Sequence, residues 1–236
     1  MKLSNIFINA LKLVQATFGT HLLGALLLFV VVFTIYALLL TTVFGMPIEG
    51  IVELSKDPER LTAYVNQPHF LIKFWFFCLL IDGIITPFTA GVYKNYAEVI
   101  AGSRPSFRNL FAYYHVRETN DILGYVILQM CLKTLVSAGA ITIGTAALGL
   151  ALTTIISLVF VLTVPIIVLE GKSLFKAMRH SYQRIMLAPF TALIVTAFGM
   201  VCLLVGFFAF GIGVTVTYSY LLAGIFSIYQ ATSNNK

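Results

Sequence analysis

The sequence predicts an all-α integral membrane protein in which residues 1–236 form a single membrane domain. Composition is the first observation: 59% of the residues are apolar and only 10% are charged. Soluble proteins carry about 25% charged residues, and a soluble domain this short could not remove so much apolar surface from water. The apolar residues also form long unbroken runs rather than the alternation of barrel strands, which favours spanning helices.

The distribution of basic residues completes this prediction, because they concentrate in alternate loops, as in multipass proteins. We expect six transmembrane helices arranged as three hairpins. Each hairpin is predicted to follow an amphipathic in-plane helix on the cytoplasmic side.

The first two predicted spans are separate apolar stretches. Residues 22–44 and 70–92 each reach the length of about 20 residues that crossing the hydrocarbon requires. The first stretch is too long for the core of a signal peptide, and no Ala-x-Ala cleavage site follows it. We therefore expect both stretches to be membrane helices.

The remaining spans are predicted as two hairpins. Residues 122–169 hold 48 residues. As one helix they would extend roughly 70 Å, about twice the hydrocarbon thickness, so the stretch must fold back. It yields spans at 122–143 and 149–169, and residues 190–229 yield spans at 190–210 and 212–229 by the same reasoning. Glycines mark each turn: Gly144 and Gly149 in the first hairpin, Gly211 and Gly213 in the second.

Lysine and arginine residues set the predicted orientation. With the N-terminus inside, eleven of them fall on the cytoplasmic side and three on the outer side. The inner set is Lys2, Lys12, Lys94, Arg104, Arg108, Arg117, Lys172, Lys176, Arg179, Arg184 and Lys236, and the outer set is Lys56, Arg60 and Lys73. This predicts a plasma or inner membrane protein with both termini cytoplasmic. The basic excess then indicates contact with anionic lipid headgroups. Nucleic-acid binding is not predicted, since no recognition motif accompanies the charge.

Residues 46–68 form the sizeable outer segment of this topology. Asp57 followed by Pro58 is typical of the start of a short helix. We expect such a helix here.

Three segments show apolar residues at helical spacing opposite a basic face. They are residues 3–18, 106–117 and 172–186. This pattern suits helices lying in the membrane interface. The alternative is that these segments are the first turns of long tilted spans.

Two stretches carry a family resemblance: PFTAGVYKNYAEVIAGSRPSFRNLFAYY at residues 87–114 and VPIIVLEGKSLFKAMRHSYQRIM within residues 164–186. They resemble passages of a multipass membrane domain family, which includes the membrane domain of some glycerophosphodiester phosphodiesterases and similar uncharacterised bacterial membrane proteins. The resemblance implies a membrane domain that is not itself the phosphodiesterase.

Asp82 and Lys133 are candidates for an intramembrane charge pair, because ionisable groups inside a span are costly. Their positions in spans 70–92 and 122–143 give depths of about 18 Å and about 16 Å from opposite faces. The two could share one level, so we expect pairing. Its role is either to fix helix register or to form a proton or ion pathway. Snorkelling of Lys133 toward water is a further alternative.

Six basic residues are candidates for contact with lipid headgroups or a partner: Arg104, Arg108, Lys172, Lys176, Arg179 and Arg184. Glu170 follows Pro165 at the predicted end of a span. A carboxylate that opens the next helix would favour its positive end, so Glu170 is predicted as a helix cap. A lipid-headgroup or partner contact is the alternative for Glu170.

No catalytic, metal or cofactor site is predicted. The four histidines are far apart, and the three cysteines (Cys78, Cys131 and Cys202) fall in apolar runs without ligand spacing, which indicates buried thiols. No nucleophile elbow or dinucleotide fingerprint occurs.

Three functions remain open. The first is a non-catalytic protein that organises membrane lipids or partner proteins, with a protein partner or a homo-oligomer as candidates. The second is a small transporter or channel that uses Asp82 and Lys133. The third, an intramembrane enzyme, has no supporting set of polar residues.

Overall fold

The computed structural model describes residues 2–208 and 212–233. Every regular element in these two ranges is helical and none is a strand, which confirms the all-helical prediction. The elements are α1 (Leu3–Phe44), α2 (Ile48–Ser55), α3 (Pro58–Val65), α4 (Pro68–Ile100), a 3₁₀ segment (Phe107–Tyr114), α5 (Glu118–Thr142), α6 (Ala146–Val159), α7 (Thr163–Glu170), α8 (Leu174–Leu187), α9 (Pro189–Phe208) and α10 (Ile212–Ser233).

Five helices are long and apolar enough to cross a membrane, as a membrane protein requires. They are Leu3–Phe44, Pro68–Ile100, Glu118–Thr142, Ala147–Glu170 and Pro189–Phe208, and each overlaps one of the first five predicted spans. The sixth predicted span, residues 212–229, falls on α10, which is not one of the five. Six spans in three hairpins therefore stay a prediction.

Helix α10 differs from the other long helices in its surroundings. None of residues 213–233 is exposed, and the helix packs most extensively along α9. A helix that contacts other helices does not need the apolar surface that lipid demands. Polar residues such as Ser219, Ser227 and Thr232 are therefore tolerated, and each hydroxyl donates to the carbonyl four residues earlier.

The chain divides into two compact units. The first contains residues 1–25 and 86–236, and the second contains residues 26–85. The prediction of a single membrane domain stays a prediction.

In the first unit, the turn predicted between two spans is present. Helix α5 ends at Thr142, and Gly144 follows with φ of 74°, a conformation that favours glycine. A Cβ on Gly149 would lie 2.9 Å from the Ala140 Cβ, so the hairpin approaches closely at small residues. In the second hairpin, Gly213 belongs to α10 and Gly211 lies outside the described residues.

The second unit contains the predicted short helix. Helix α3 begins at Pro58, and the Asp57 side chain accepts a hydrogen bond of 3.1 Å from the Arg60 backbone N–H. This confirms the predicted helix start. Tyr64 donates to the Phe44 carbonyl and its ring stacks on the Phe44 ring, which ties α3 to the end of α1.

The three amphipathic segments take different forms. Residues 3–18 form the first part of α1, which runs without a break to Phe44. This agrees with the alternative prediction, in which the segment is the beginning of a long span. The segment 106–117 contains the short 3₁₀ segment rather than an α-helix. Residues 172–186 fall largely on a separate helix, α8. Their in-plane arrangement stays a prediction.

Candidate functional site

Four parts of the first unit meet at one end, which we call the basic end. It comprises residues 2–9, 104–117, 170–184 and 227–233. A cavity of about 310 Å³ lies between the start of α1 and the end of α10. The Arg184 guanidinium lies 5.1 Å from the centre of the Tyr229 ring. The Tyr113 hydroxyl lies 3.5 Å from the Val168 carbonyl oxygen, which links the 3₁₀ segment to α7.

The basic end contains all six predicted headgroup-contact residues. Five of them are exposed or half-exposed: Arg104, Arg108, Lys172, Lys176 and Arg179. Arg117, which sequence analysis did not single out for this role, is exposed beside them. The sixth, Arg184, is buried and is treated below.

Helix α8 presents two apolar faces rather than one. Sequence periodicity places six apolar residues in one stripe, but the structure divides them. Leu174, Met178 and Ile185 lie toward the protein, whereas Phe175, Tyr182 and Met186 are 74%, 51% and 46% exposed. A stripe this wide covers more than one face of a helix. The sequence contains no signal that separates the residues facing the protein from the exposed ones.

The exposed face of α8 has an apolar side and a basic side. At about 100° per residue, Phe175, Tyr182 and Met186 fall within about 40° of arc. Arg179 and Lys176 follow at about 40° and about 100° from Phe175. An apolar strip bordered by cations is the surface that a helix at a membrane interface presents.

Three contacts fix the orientation of this face, and the first lies at the start of α8. The Leu174 backbone N–H donates to Asp121 Oδ1 of α5 at 2.9 Å. Asp121 therefore satisfies one of the free N–H groups that every helix start leaves. Asp121 precedes Leu174 by 53 residues, so no local pattern could have identified this cap.

A second contact holds the middle of α8 at a break in a candidate span. Helix α6 ends at Val159 and α7 begins at Thr163. The Ser181 hydroxyl donates to the Val159 carbonyl at 2.8 Å and accepts from the Leu162 N–H at 3.2 Å. The Tyr125 hydroxyl donates to the Phe160 carbonyl at 3.1 Å. The Ser181 hydroxyl replaces backbone bonds that the break removes, as a helix within a membrane would require. Tyr125 adds a bond to a carbonyl that also accepts from the Thr163 N–H at 3.0 Å.

A third contact is a buried ion pair near the end of α8. Arg184 Nη1 lies 2.6 Å from Glu170 Oε1, and Lys172 Nζ lies 2.7 Å from Glu170 Oε2. The Arg184 guanidinium and the Glu170 carboxylate therefore form an ion pair. Arg184 is only 5% exposed, which does not agree with the predicted headgroup contact for this residue, because its guanidinium is enclosed by protein.

Glu170 also differs from its predicted role as a cap. It is the last residue of α7, and the cap contact of α8 comes from Asp121 instead. Glu170 lies between two cations and links the α7 end to α8. Its charge therefore stabilises the α7–α8 junction rather than a helix start.

A polar network holds the 3₁₀ segment against α4. Asn95 is fully buried, and its Oδ1 accepts from the Ser106 N–H and from Asn109 Nδ2, both at 2.9 Å. Asn109 Nδ2 also donates to Glu98 Oε2 at 2.6 Å. The network lies within residues 87–114, the first stretch that carries the family resemblance. Sequence analysis did not select these residues, because amides carry no periodic signal.

Asp82 and Lys133 lie on α4 and α5, each inside a candidate span. Asp82 belongs to the second unit and Lys133 to the first. Their predicted pairing stays a prediction.

The cysteines and histidines occupy separate positions. Cys78, Cys131 and Cys202 are half-buried free thiols, more accessible within the chain than the sequence predicts. His21 is buried, and its Nε2 lies 3.4 Å from Asn95 Nδ2. Among residues 2–208 and 212–233, no three His, Cys, Asp or Glu side chains form a group that could hold a metal ion.

Comparison of the chain with protein-family models, with curated proteins and with solved structures found no match. The resemblance to the multipass membrane domain family therefore stays a prediction. The functional argument depends on the geometry of the basic end.

Proposed function

We propose that this chain is a non-catalytic multipass membrane protein that organises lipid or partner proteins at the cytoplasmic surface. The observation that carries the proposal is the exposed face of α8. Phe175, Tyr182 and Met186 form an apolar strip, and Lys176 and Arg179 border it. Such a face gains free energy from two sources at an anionic bilayer: burial of apolar area among acyl chains and attraction of cations to headgroups.

The anchoring of α8 supports this role. Contacts through Asp121, Ser181 and Glu170 hold its start, middle and end. The helix therefore presents this face without the ordering cost that a mobile segment would add on binding. The remaining exposed cations at the basic end add to the attraction.

The test compares two double variants of equal charge change. K176Q/R179Q removes both cations from the exposed face of α8, and K56Q/R60Q removes two exposed cations from the predicted outer segment. Each cation near an anionic surface contributes about 1 kcal/mol, so the first variant should lower the binding constant for anionic lipid about 25-fold. Native mass spectrometry of protein from bilayers that contain phosphatidylglycerol measures the bound lipid. Equal losses in the two variants, or no loss in K176Q/R179Q, would refute the proposal.

A tryptophan at position 175 would report how deeply the apolar strip of α8 enters the bilayer. Trp75 is the single tryptophan, so F175W and Q183W in a W75F background each report one position. Gln183 is exposed and lies about 80° from Phe175, between Arg179 and Lys176. Acyl-brominated lipids should therefore quench the tryptophan at 175 strongly and the one at 183 weakly. Equal quenching at the two positions would show that the apolar strip does not face the acyl chains.

A small transporter or channel is the second candidate. It is favoured by the break between α6 and α7, since discontinuous spans often surround binding sites in transporters. The fully buried Thr163 hydroxyl beside the break has no hydrogen-bond partner among the described residues. This function requires Asp82→Asn to abolish proton- or ion-coupled flux in liposomes while the protein stays folded. Unchanged flux in D82N would exclude the pathway through Asp82.

A further inference from the structure

A charged cleft opens where the start of α5 meets the α7–α8 connection. Its volume is about 530 Å³, and its lining includes Arg117, Glu118, Asp121, Lys172, Ser173 and Lys176. None of these residues is fully buried. A molecule in the surrounding medium can therefore reach the charged atoms.

The position of the cleft along the candidate spans corresponds to the headgroup layer. Glu118 is the first residue of one candidate span, and Glu170 is the last residue of the next. Lys172 follows Glu170 by two positions. The ends of spanning helices lie at the level of the polar headgroups, and here two such ends form one cleft.

The cleft combines both signs of charge in fixed positions. Lys172 is held 2.7 Å from Glu170, and Asp121 Oδ1 is held by the Leu174 N–H at 2.9 Å. Arg117 and Lys176 supply further donors, whereas Glu118 supplies a second acceptor group beside Asp121. A ligand with negative charge alone would meet two carboxylates, and a cation alone would meet three basic side chains. A ligand that carries a phosphate and an ammonium group matches both.

We propose that this cleft binds a phosphoethanolamine headgroup, with the phosphodiester at Lys176 and Arg117 and the primary ammonium at Glu118. The proposal rests on the proposed function, because that function positions the basic end at the bilayer surface. A primary ammonium donates three hydrogen bonds, whereas the quaternary ammonium of phosphocholine donates none. Phosphocholine therefore serves as a ligand of similar charge that lacks the proposed contact.

The experiment measures lipid selectivity by native mass spectrometry of the full chain. Phosphatidylethanolamine, phosphatidylcholine and phosphatidylglycerol with identical acyl chains compete in equal amounts. The wild type should bind phosphatidylethanolamine about tenfold more tightly than phosphatidylcholine, since hydrogen bonds to charged groups are the stronger ones. Glu118→Gln should reduce this ratio to within about twofold and leave phosphatidylglycerol binding unchanged or stronger.

Two further variants serve as controls. Glu53→Gln removes a carboxylate from the predicted outer segment and should keep the wild-type ratio. Lys176→Gln should weaken binding of all three lipids, because each carries the phosphate. Thermal unfolding of each variant establishes that the fold is retained. A wild-type ratio near one, or a ratio that Glu118→Gln leaves unchanged, would overturn the proposal.

Soluble glycerophosphoethanolamine identifies the source of the headgroup. Competition by this compound at millimolar concentration supports recognition of the headgroup alone, and no competition supports recognition of the lipid in the bilayer. The two proposals also fail separately. Arg179 does not line the cleft, so R179Q alone tests the proposed function separately. If Glu118→Gln removes the selectivity while R179Q leaves total anionic lipid unchanged, the proposed function is wrong and the cleft remains. If Glu118→Gln leaves the selectivity unchanged while R179Q lowers total anionic lipid, only the cleft proposal is overturned.

Discussion

The buried pair between Arg184 and Glu170 gives a quantitative test of how α8 is held. Replacing Arg184 by Met keeps the apolar stem and removes the charge. Loss of one partner of a buried pair costs about 3–5 kcal/mol. Glu170 keeps Lys172 at 2.7 Å and its side chain is 18% exposed, so we expect the lower end, about 3 kcal/mol. The lost contact with the Tyr229 ring acts in the same direction.

Thermal unfolding in one fixed detergent measures this effect. For a chain of this size, about 3 kcal/mol corresponds to a fall in Tm of about 6–12 °C. Lys172→Met should lower Tm far less, because the Lys172 side chain is 24% exposed and Glu170 keeps Arg184 as its partner. The double variant E170M/R184M should recover most of the loss, since it removes both charges of the buried pair. Lys172 loses Glu170 in this variant, but its side chain is 24% exposed and can be hydrated. A Tm of R184M within about 2 °C of wild type, or a double variant as unstable as R184M, would refute the reasoning.

Two further predictions concern backbone contacts in the first unit. A Cβ on Gly91 would lie 2.4 Å from the Asn109 carbonyl oxygen and 2.5 Å from the Leu110 Cα. Gly91→Ala must therefore displace the 3₁₀ segment and should destabilise by about 1–3 kcal/mol. Gly19→Ala serves as the control, because Gly19 is also helical and a Cβ there has open space around it. Equal unfolding temperatures of the two variants would contradict the close approach. Ser181→Ala removes both hydrogen bonds at the α6–α7 break and should cost about 1–3 kcal/mol, with faster hydrogen exchange of the Leu162 amide as the specific readout. Unchanged exchange there would show that the hydroxyl is not needed at the break.

The sequence predicts correctly those features that depend on residues close to one another in the chain. Apolar runs predict the helices, Gly144 predicts a turn, and Asp57 before Pro58 predicts the start of α3. Each depends on residues within about one turn of helix. The structure agrees at all three places.

The features that the sequence leaves open depend on distant partners. Arg184 looks like a surface cation, and its burial follows from Glu170 and Tyr229. Likewise, Asp121 caps α8 from 53 residues away. Periodicity gives the apolar face of a helix but not which part of that face neighbouring helices cover, so α8 could not be divided into inner and outer residues beforehand.

The enclosure of α10 has a consequence for how the chain is made. Because none of residues 213–233 is exposed, α10 gains its favourable environment from helices that the ribosome has already completed. Its sides contact α7, α8 and α9, all of which precede it in the chain. Because those helices are synthesised first, the surfaces that enclose α10 are present when α10 is made.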